Sequence, residues 1–284
     1  MGKMGLIVNC VGYDEKSIDY AIQLAEEIQP KLDRLGIEPS FKILNSDWVK
    51  TVVKKHTIDL SPQNLTEVNE RLKSNDNKGL IVRWGIEELI ADKAEFVLHI
   101  DGSGKFDLTE VPKIIAGMLE PEVDAILTNR DKSGMNKFRT TLEKFETYVI
   151  LKIYPCAKID DGQSGCWCIR LSNGDRCLHL TALGYEIELD VLLNLLKQKR
   201  NIVWMPITVK NTGRSQFNFS SNIRKIEWLS KNLPISKKVV LELLEIFRKE
   251  HVDEINAADE ESKSLGLLEN NYVNYAKKIE ENKL

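Results

Sequence analysis

The sequence predicts an α/β protein: one mostly parallel sheet with helices on both faces, followed by a helical appendage. Three observations carry this expectation. Apolar runs of strand length alternate with segments of helical period as far as residue 210. The run Phe96 to Ile100 has no breaker inside it and ends in Asp101-Gly102-Ser103-Gly104. That places a carboxylate in a bendable loop at the carboxyl end of a buried strand, where open α/β sheets put ligand chemistry. From Pro234 onward the strands stop, and helical patterns at Val239 to Phe247 and Leu265 to Leu284 flank a stretch dense in charge. Residues 1–220 are therefore expected to form the sheet domain and residues 221–284 the appendage.

The elements follow in order. Leu6 to Val11 is a short apolar run and the expected first strand; Gly12-Tyr13-Asp14-Glu15 is a loop. Ser17 can cap a helix carrying Ile18, Ala21, Ile22, Leu24, Ala25 and Ile28, which passes Pro30 and stops at Gly36. Phe41 to Leu44 is a second strand, broken by Asn45-Ser46-Asp47, and Asn64 to Lys73 is weakly helical. A helix over Gly79 to Ile90 feeds the Phe96 strand. After the Asp101 loop, Pro112 opens a short helix at an early position that tolerates proline. Val123 to Thr128 is a strand ending at Asn129-Arg130, and Phe138 to Ile153 is a longer helix. Ile159 to Gly165 is a second acidic, glycine-containing turn, and the strand from Cys166 to Leu171 follows it. A helix spans Tyr185 to Lys199, and Ile202 to Val209 is a strand that Pro206 confines to a sheet edge. Val239 to Phe247 and Leu265 to Leu284 carry helical patterns, the latter as a sparse stripe suited to packing or to dimerisation.

The balance of 40 basic against 43 acidic residues, net −3, argues against a dominant nucleic-acid surface. Five cysteines at these spacings match no zinc pattern and no disulfide framework. Cys166 and Cys168 fit alternate positions of one strand, with both thiols on one face. No signal-peptide block and no membrane-length apolar run is present, so a reduced, cytoplasmic protein is expected, at most peripheral to a membrane.

Several pieces, in a fixed order over roughly residues 5–220, resemble the family 2 glycosyltransferases of the GT-A fold. The likeness is to the branch of dolichyl-phosphate mannose synthase and bacterial polyprenyl-phosphate sugar transferases. Val11-Gly12-Tyr13-Asp14-Glu15 resembles the family's Pro-Ala-Tyr-Asn-Glu loop at the nucleotide, with Val and Asp in place of Pro and Asn. Asn77-Lys78-Gly79 with Arg83-Trp84-Gly85 resembles its Asn-x-Gly segment beside the nucleotide. Asp101-Gly102-Ser103 stands at Asp-x-Asp, Ser103 replacing the second acid. Thr128-Asn129-Arg130 stands at Gly-Ser-Arg, and Asp161-Gly162-Gln163-Ser164-Gly165 at Asp-x-x-Ser-Gly, with Cys166-Trp167 in place of Phe-Arg. Leu183 to Leu189, Ile202 to Ile207 and Gly213-Arg214-Ser215 follow the family's carboxyl-terminal pattern. The family's second-strand Asp-Asp-Gly-Ser is missing; Asp47 is the acid nearest its place.

The resemblance implies an inverting, metal-assisted transfer of sugar from a nucleotide-diphosphate donor to an acceptor hydroxyl or lipid phosphate. It implies Tyr13, Asp14, Glu15, Asp47, Lys78, Gly79, Arg83 and Gly102 at the donor. It implies Asp101 and Ser103 as ligands of a Mg or Mn ion that stabilises the departing diphosphate as a Lewis acid. Asp161 becomes the general base for a hydroxyl acceptor, whereas a phosphate acceptor is already ionised and needs none. Arg130 and Arg214 are candidate phosphate clamps, because guanidinium forks match phosphate oxygens. Gln163, Ser164, Glu186, Glu188 and Ser215 fall on the acceptor or phosphate side, with Trp167 as a sugar-stacking face or a core residue. His99, two positions before Asp101, shares its face and is expected as a buried imidazole. The acceptor class stays open among saccharide, lipid phosphate, protein and nucleic acid, and a homodimer through the C-terminal helices is compatible with the pattern. Two other readings remain: a non-catalytic nucleotide-sugar binder on the same scaffold, and a sugar nucleotidyltransferase, which the acidic first loop disfavours.

Overall fold

A computed structural model describes residues 3–9, 15–44, 77–171, 178–210, 219–265, 267 and 271–281. The expected helix Asn64 to Lys73 lies outside these residues. The chain forms two compact units, Met1–Asp131 with Gln163–Thr212, and Lys132–Gly162 with Gly213–Leu284.

The first unit holds a six-stranded sheet. Its strands are β1 (Lys3–Asn9), β2 (Glu38–Leu44), β3 (Phe96–Asp101), β4 (Ala125–Arg130), β5 (Cys166–Arg170) and β6 (Ile202–Ile207), in the order β2-β1-β3-β5-β4-β6. All neighbours are parallel except β5, which runs antiparallel to both β3 and β4. The sheet is thus mostly parallel, as expected. Pro39 and Pro206 both fall on edge strands, β2 and β6, which is where sheets admit proline. The reversal of β5 shapes one end of the sheet. It brings the residues before β5 to the same end of the sheet as the carboxyl ends of β3 and β4.

Side-chain alternation assigns the two faces. Met4, Leu6, Val8, Phe96, Leu98, Ile100, Cys166 and Cys168 form one core with α1 (Glu15–Leu35) and α3 (Val111–Met118). The two thiols therefore share a buried face, as the strand period requires. Gly5, Ile7, His99 and Trp167 take the opposite parity. On that face α2 (Lys78–Ala91) packs so closely that a Cβ on Gly5 would lie 2.4 Å from Leu89 Cδ1. α2 is apolar nearly all round and buried from Lys78 to Leu89 with few exceptions, as befits a helix covered on both sides. Helix α5 (Ile187–Lys197) packs against α2.

Helix α1 begins at Glu15, so Ser17 lies within its first turn rather than at the cap. It continues through Pro30, because Ala21, Leu24, Ile28 and Leu32 are buried on both sides of it. Burying four such side chains, at about 1.5–3 kcal/mol for each large one, outweighs the cost of about 3 kcal/mol for a proline in a helix.

The second unit is helical: α4 (Lys137–Ile153), α6 (Phe219–Asn232), α7 (Lys237–Glu250), α8 (Val252–Ser264) and α9 (Tyr272–Glu281). Asn136 caps α4 through the Arg139 N–H, and Ser236 caps α7 through that of Val239. Phe247 of α7 packs between Phe145 and Tyr148 of α4, with ring centroids 5.4 Å from each. The last helix starts at Tyr272, not Leu265. Its buried stripe is Tyr272, Tyr275 and Ile279, while Leu267 is exposed. Sequence pattern alone missed α6 and α8. No helix among the described residues is long and apolar enough to cross a membrane.

Candidate functional site

Asp101 ends β3 at the position the strand period gives it. Its backbone N–H donates to the Gly165 carbonyl at 2.9 Å, which extends the β3–β5 ladder by one bond. Its carboxylate is fixed on both sides. Oδ1 is 2.8 Å from the Lys78 ammonium, and Oδ2 lies so near Gly165 that a Cβ there would sit 2.1 Å away. Only glycine leaves room for this carboxylate.

Lys78 opens α2 and is itself buried. Its ammonium bridges Asp101 and Glu188, the latter in the first turn of α5. Burial alone would favour a neutral lysine. The two carboxylates overcome it and hold the pKa above the ordinary lysine range. Burial likewise raises the Asp101 pKa, but the Lys78 charge, helped by His99 and Arg130, brings it below the usual carboxylate value. The three groups form one charged unit, in which Lys78 and Glu188 are buried and Asp101 is half-buried.

The loop before α5 is built to deliver Glu188. Glu186 Oε1 accepts the N–H groups of Leu183 and Gly184 at 3.2 and 3.0 Å. Asp190 Oδ2 accepts those of Thr181 and Ala182 at 2.5 and 2.7 Å. The loop carbonyls in turn cap α2: Gly184 accepts from Gly79, and Leu183 from Leu80, both at 3.0 Å. Asn77 makes no side-chain cap, so this backbone docking satisfies the helix end. Gly79 is what permits it, since a Cβ there would meet the Ala182 carbonyl at 2.7 Å. Gly79→Ala is therefore expected to destabilise the protein by about 1–3 kcal/mol, as overpacking does, measured by chemical denaturation.

Behind the charged unit, His99 stacks on Trp167 with ring centroids 4.7 Å apart and planes 19° apart. Trp167 is 1% exposed and is a core residue, so the sugar-stacking alternative does not describe its position. Neither His99 ring nitrogen has a well-formed hydrogen bond, although the Gly165 backbone slightly favours the charged ring. Burial pushes the His99 pKa down to about 3, with Lys78 adding to the effect and Asp101 opposing it. The folded state thus binds fewer protons than the unfolded chain between about pH 3 and the ordinary histidine value of 6.5, and stability falls as pH drops through that window. His99→Phe, which keeps the stack, is expected to remove a slope of about 1.4 kcal/mol per pH unit between about pH 6 and 4. Denaturant titrations of variant and parent across that range check it.

The remaining candidates fall as follows. Gly102 is buried and Ser103 half-buried in the turn after β3. Arg130 is buried at the end of β4. Gln163 and Ser164 are buried just before β5, and the Ser164 hydroxyl is bonded to that of Thr128, which also donates to the Cys166 carbonyl at 2.6 Å. Arg83 is half-buried on α2 and donates to the Thr181 carbonyl at 3.3 Å. Asp161 belongs to the second unit, where it is buried while Asp160 is exposed. Its Oδ1 is 3.1 Å from Lys132, which also meets Glu143 at 3.0 Å. Tyr13, Asp14, Asp47, Arg214 and Ser215 lie outside the described residues, and of Glu15 only the backbone is described. Sequence reasoning missed Thr128, Gly165 and Asp190 as site builders. Only Gly165 carried a signal, as the glycine of the Ser-Gly pair.

The expected divalent cation can be tested against the donor set. Ser103 offers a neutral oxygen, and Asp101 Oδ1 is engaged by an ammonium. Among the described residues no group of three His, Cys, Asp or Glu is placed to hold a metal ion. Mg and Mn favour carboxylate and water oxygens, and a carboxylate shared with a fixed cation is a poor ligand. The described residues do not fit the expected ion.

No family model and no curated protein matches the sequence. The fold does have solved counterparts, in structures of glucosyl-3-phosphoglycerate synthase from Mycobacterium tuberculosis. The complex with Mn2+ and uridine-diphosphate-glucose aligns at a TM-score of 0.55 with 14% identity, over 83% of this chain and 81% of that one. The complex with Mn2+, uridine-diphosphate-glucose and glycerol 3-phosphate aligns at 0.54 with 13% identity, over 82% and 81%. The complex with Mn2+, uridine-diphosphate and phosphoglyceric acid aligns at 0.54 with 12% identity, over 82% and 79%. At these identities the likeness establishes the fold, which is that of the GT-A glycosyltransferases.

Proposed function

We propose that this protein is a nucleotide-sugar-dependent glycosyltransferase resembling family 2, acting with inversion on an acceptor hydroxyl or phosphate. The observation that carries the reading is Asp101. It is a carboxylate at the carboxyl end of a central strand of a GT-A sheet, held on one side by Lys78 and fitted on the other against Gly165. Stability does not explain so much fixed charge, since a buried ion pair is weak evidence for stabilisation. Perturbed buried charges cluster where ligands bind. The sequence likeness implies a donor diphosphate at this residue, and the charge of the buried Arg130 acts on the same carboxylate.

In the proposed reaction the bond from the anomeric carbon to the diphosphate oxygen breaks, and its electron pair leaves with the nucleoside diphosphate. A bond from the acceptor oxygen to the same carbon forms on the opposite face. A hydroxyl acceptor gives its proton to a base, for which Asp161 is the candidate; a phosphate acceptor has none to give. Two of the solved counterparts hold uridine-diphosphate-glucose, which makes it the first donor to try.

The test is a panel of nucleotide sugars with and without Mn2+, reading released nucleoside diphosphate, for the parent and for Asp101→Asn. Release is expected with at least one donor, and a loss of about tenfold or more in the variant, the value of a hydrogen bond to a charged group. Binding without release would favour the non-catalytic binder instead, and no binding of any donor would end both readings.

A further inference from the structure

We infer that Lys78 is the protein's own cation at the donor diphosphate, standing where a divalent metal would otherwise be held, so that donor binding is independent of metal. The inference rests on the glycosyltransferase reading for the identity of the anion, but not for the lysine's place.

Three observations support it. First, the ammonium is coordinated as an ion is, between Asp101, 2.8 Å away, and Glu188, from two different elements. Second, the charges are rearranged together. Ser103 provides no charge where the likeness calls for a second acid, and Lys78 provides a positive one within bonding distance of the acid that remains. A carboxylate pair that would attract a dication has been replaced by a pair already bridged by a monocation. Third, the scaffold is built around the lysine. Gly79 allows α2 to dock on the 182–184 backbone, and Glu186 and Asp190 hold that loop, so that Lys78 and Glu188 meet. An ammonium has three donors, and two are taken by the carboxylates.

When the anomeric bond breaks, the electron pair passes to the diphosphate, and the third N–H of the ammonium, which neither carboxylate takes, is the preorganised donor that meets that anion. Nothing is oxidised or reduced, and no proton need leave Lys78.

The experiment titrates the protein with Mn2+ alone, by electron paramagnetic resonance of the free ion, and separately with uridine diphosphate in Mn2+ and in chelator. Parent and Asp101→Asn are expected to take up Mn2+ identically. The parent is expected to bind uridine diphosphate within about twofold in the two conditions. Lys78→Ala, which leaves Asp101 and Glu188 facing one another, is expected to gain a Mn2+ site and to melt at a higher temperature when Mn2+ is added. The parent should show no such rise. The inference is overturned if the parent takes up Mn2+ in a way that Asp101→Asn abolishes, or if Mn2+ tightens uridine diphosphate binding by about tenfold or more. Should Lys78→Ala fail to fold, the comparison of parent with Asp101→Asn still decides. If no nucleotide binds under either condition, the glycosyltransferase reading falls, and the Mn2+ titration alone decides the lysine's place.

Discussion

Lys78→Met is expected to cost about 3–5 kcal/mol of stability, because it leaves the buried Glu188 carboxylate and the half-buried Asp101 carboxylate without their common partner. Methionine keeps most of the lysine stem, so packing is largely preserved and the loss reports charge. The effect has a pH signature. With the ammonium gone, burial and mutual repulsion raise both carboxyl pKa values, so the folded variant binds more protons than its unfolded chain. Its deficit should shrink as pH falls toward about 4, where the unfolded carboxyls also protonate. Denaturant titrations at neutral and acid pH measure this. A loss under about 1 kcal/mol with no pH dependence would mean that the lysine is only a surface-type ion pair. Since domains of this kind are stable by only about 5–15 kcal/mol, the expected loss is a large share of the total.

Gly165→Ala comes second. The new methyl carbon would lie 2.1 Å from Asp101 Oδ2 and 2.5 Å from its Cγ. The backbone cannot yield easily, because the Asp101 N–H and the Gly165 carbonyl are bonded at 2.9 Å in the ladder. The carboxylate must therefore rotate away, which strains or breaks its bond to Lys78. The expected cost is about 1–3 kcal/mol of stability, the usual range for overpacking. Uridine diphosphate binding should weaken by about tenfold or more, the value of a misplaced charged hydrogen bond. Calorimetry and denaturation on one variant separate the two effects. Unchanged binding in a folded Gly165→Ala would show that the carboxylate's orientation does not matter to the ligand.

Much of the fold was legible because period and punctuation act locally. The Phe96 run, its stop at Asp101, the shared face of Cys166 and Cys168 and the edge placement of Pro206 all follow from strand geometry. The helices missed have physical reasons. In α8 the buried residues are Ile255, Ala258 and Ser262, too small and sparse to show as a stripe among so many charges. In α6 the pattern Ile223, Ile226, Leu229 is present but short. The charged unit was not legible. Lys78 and Glu188 are 110 residues apart, and each alone is an ordinary charge at a helix start. What joins them is the docking of α2 on the loop before α5, which depends on backbone bonds that no side-chain pattern encodes. The antiparallel course of β5 is of the same kind: it is why Gly165 meets Asp101, and strand propensity is blind to direction.

The central claim is that Asp101 organises a nucleotide-sugar donor site through the Lys78 ammonium it holds. Calorimetric titration of uridine-diphosphate-glucose into the parent and into Asp101→Asn tests it most directly. Binding by the parent, weakened by about tenfold or more in the folded variant, is the expected result. Equal affinity in the two proteins, or no affinity in the parent for this or any other nucleotide sugar, would contradict it.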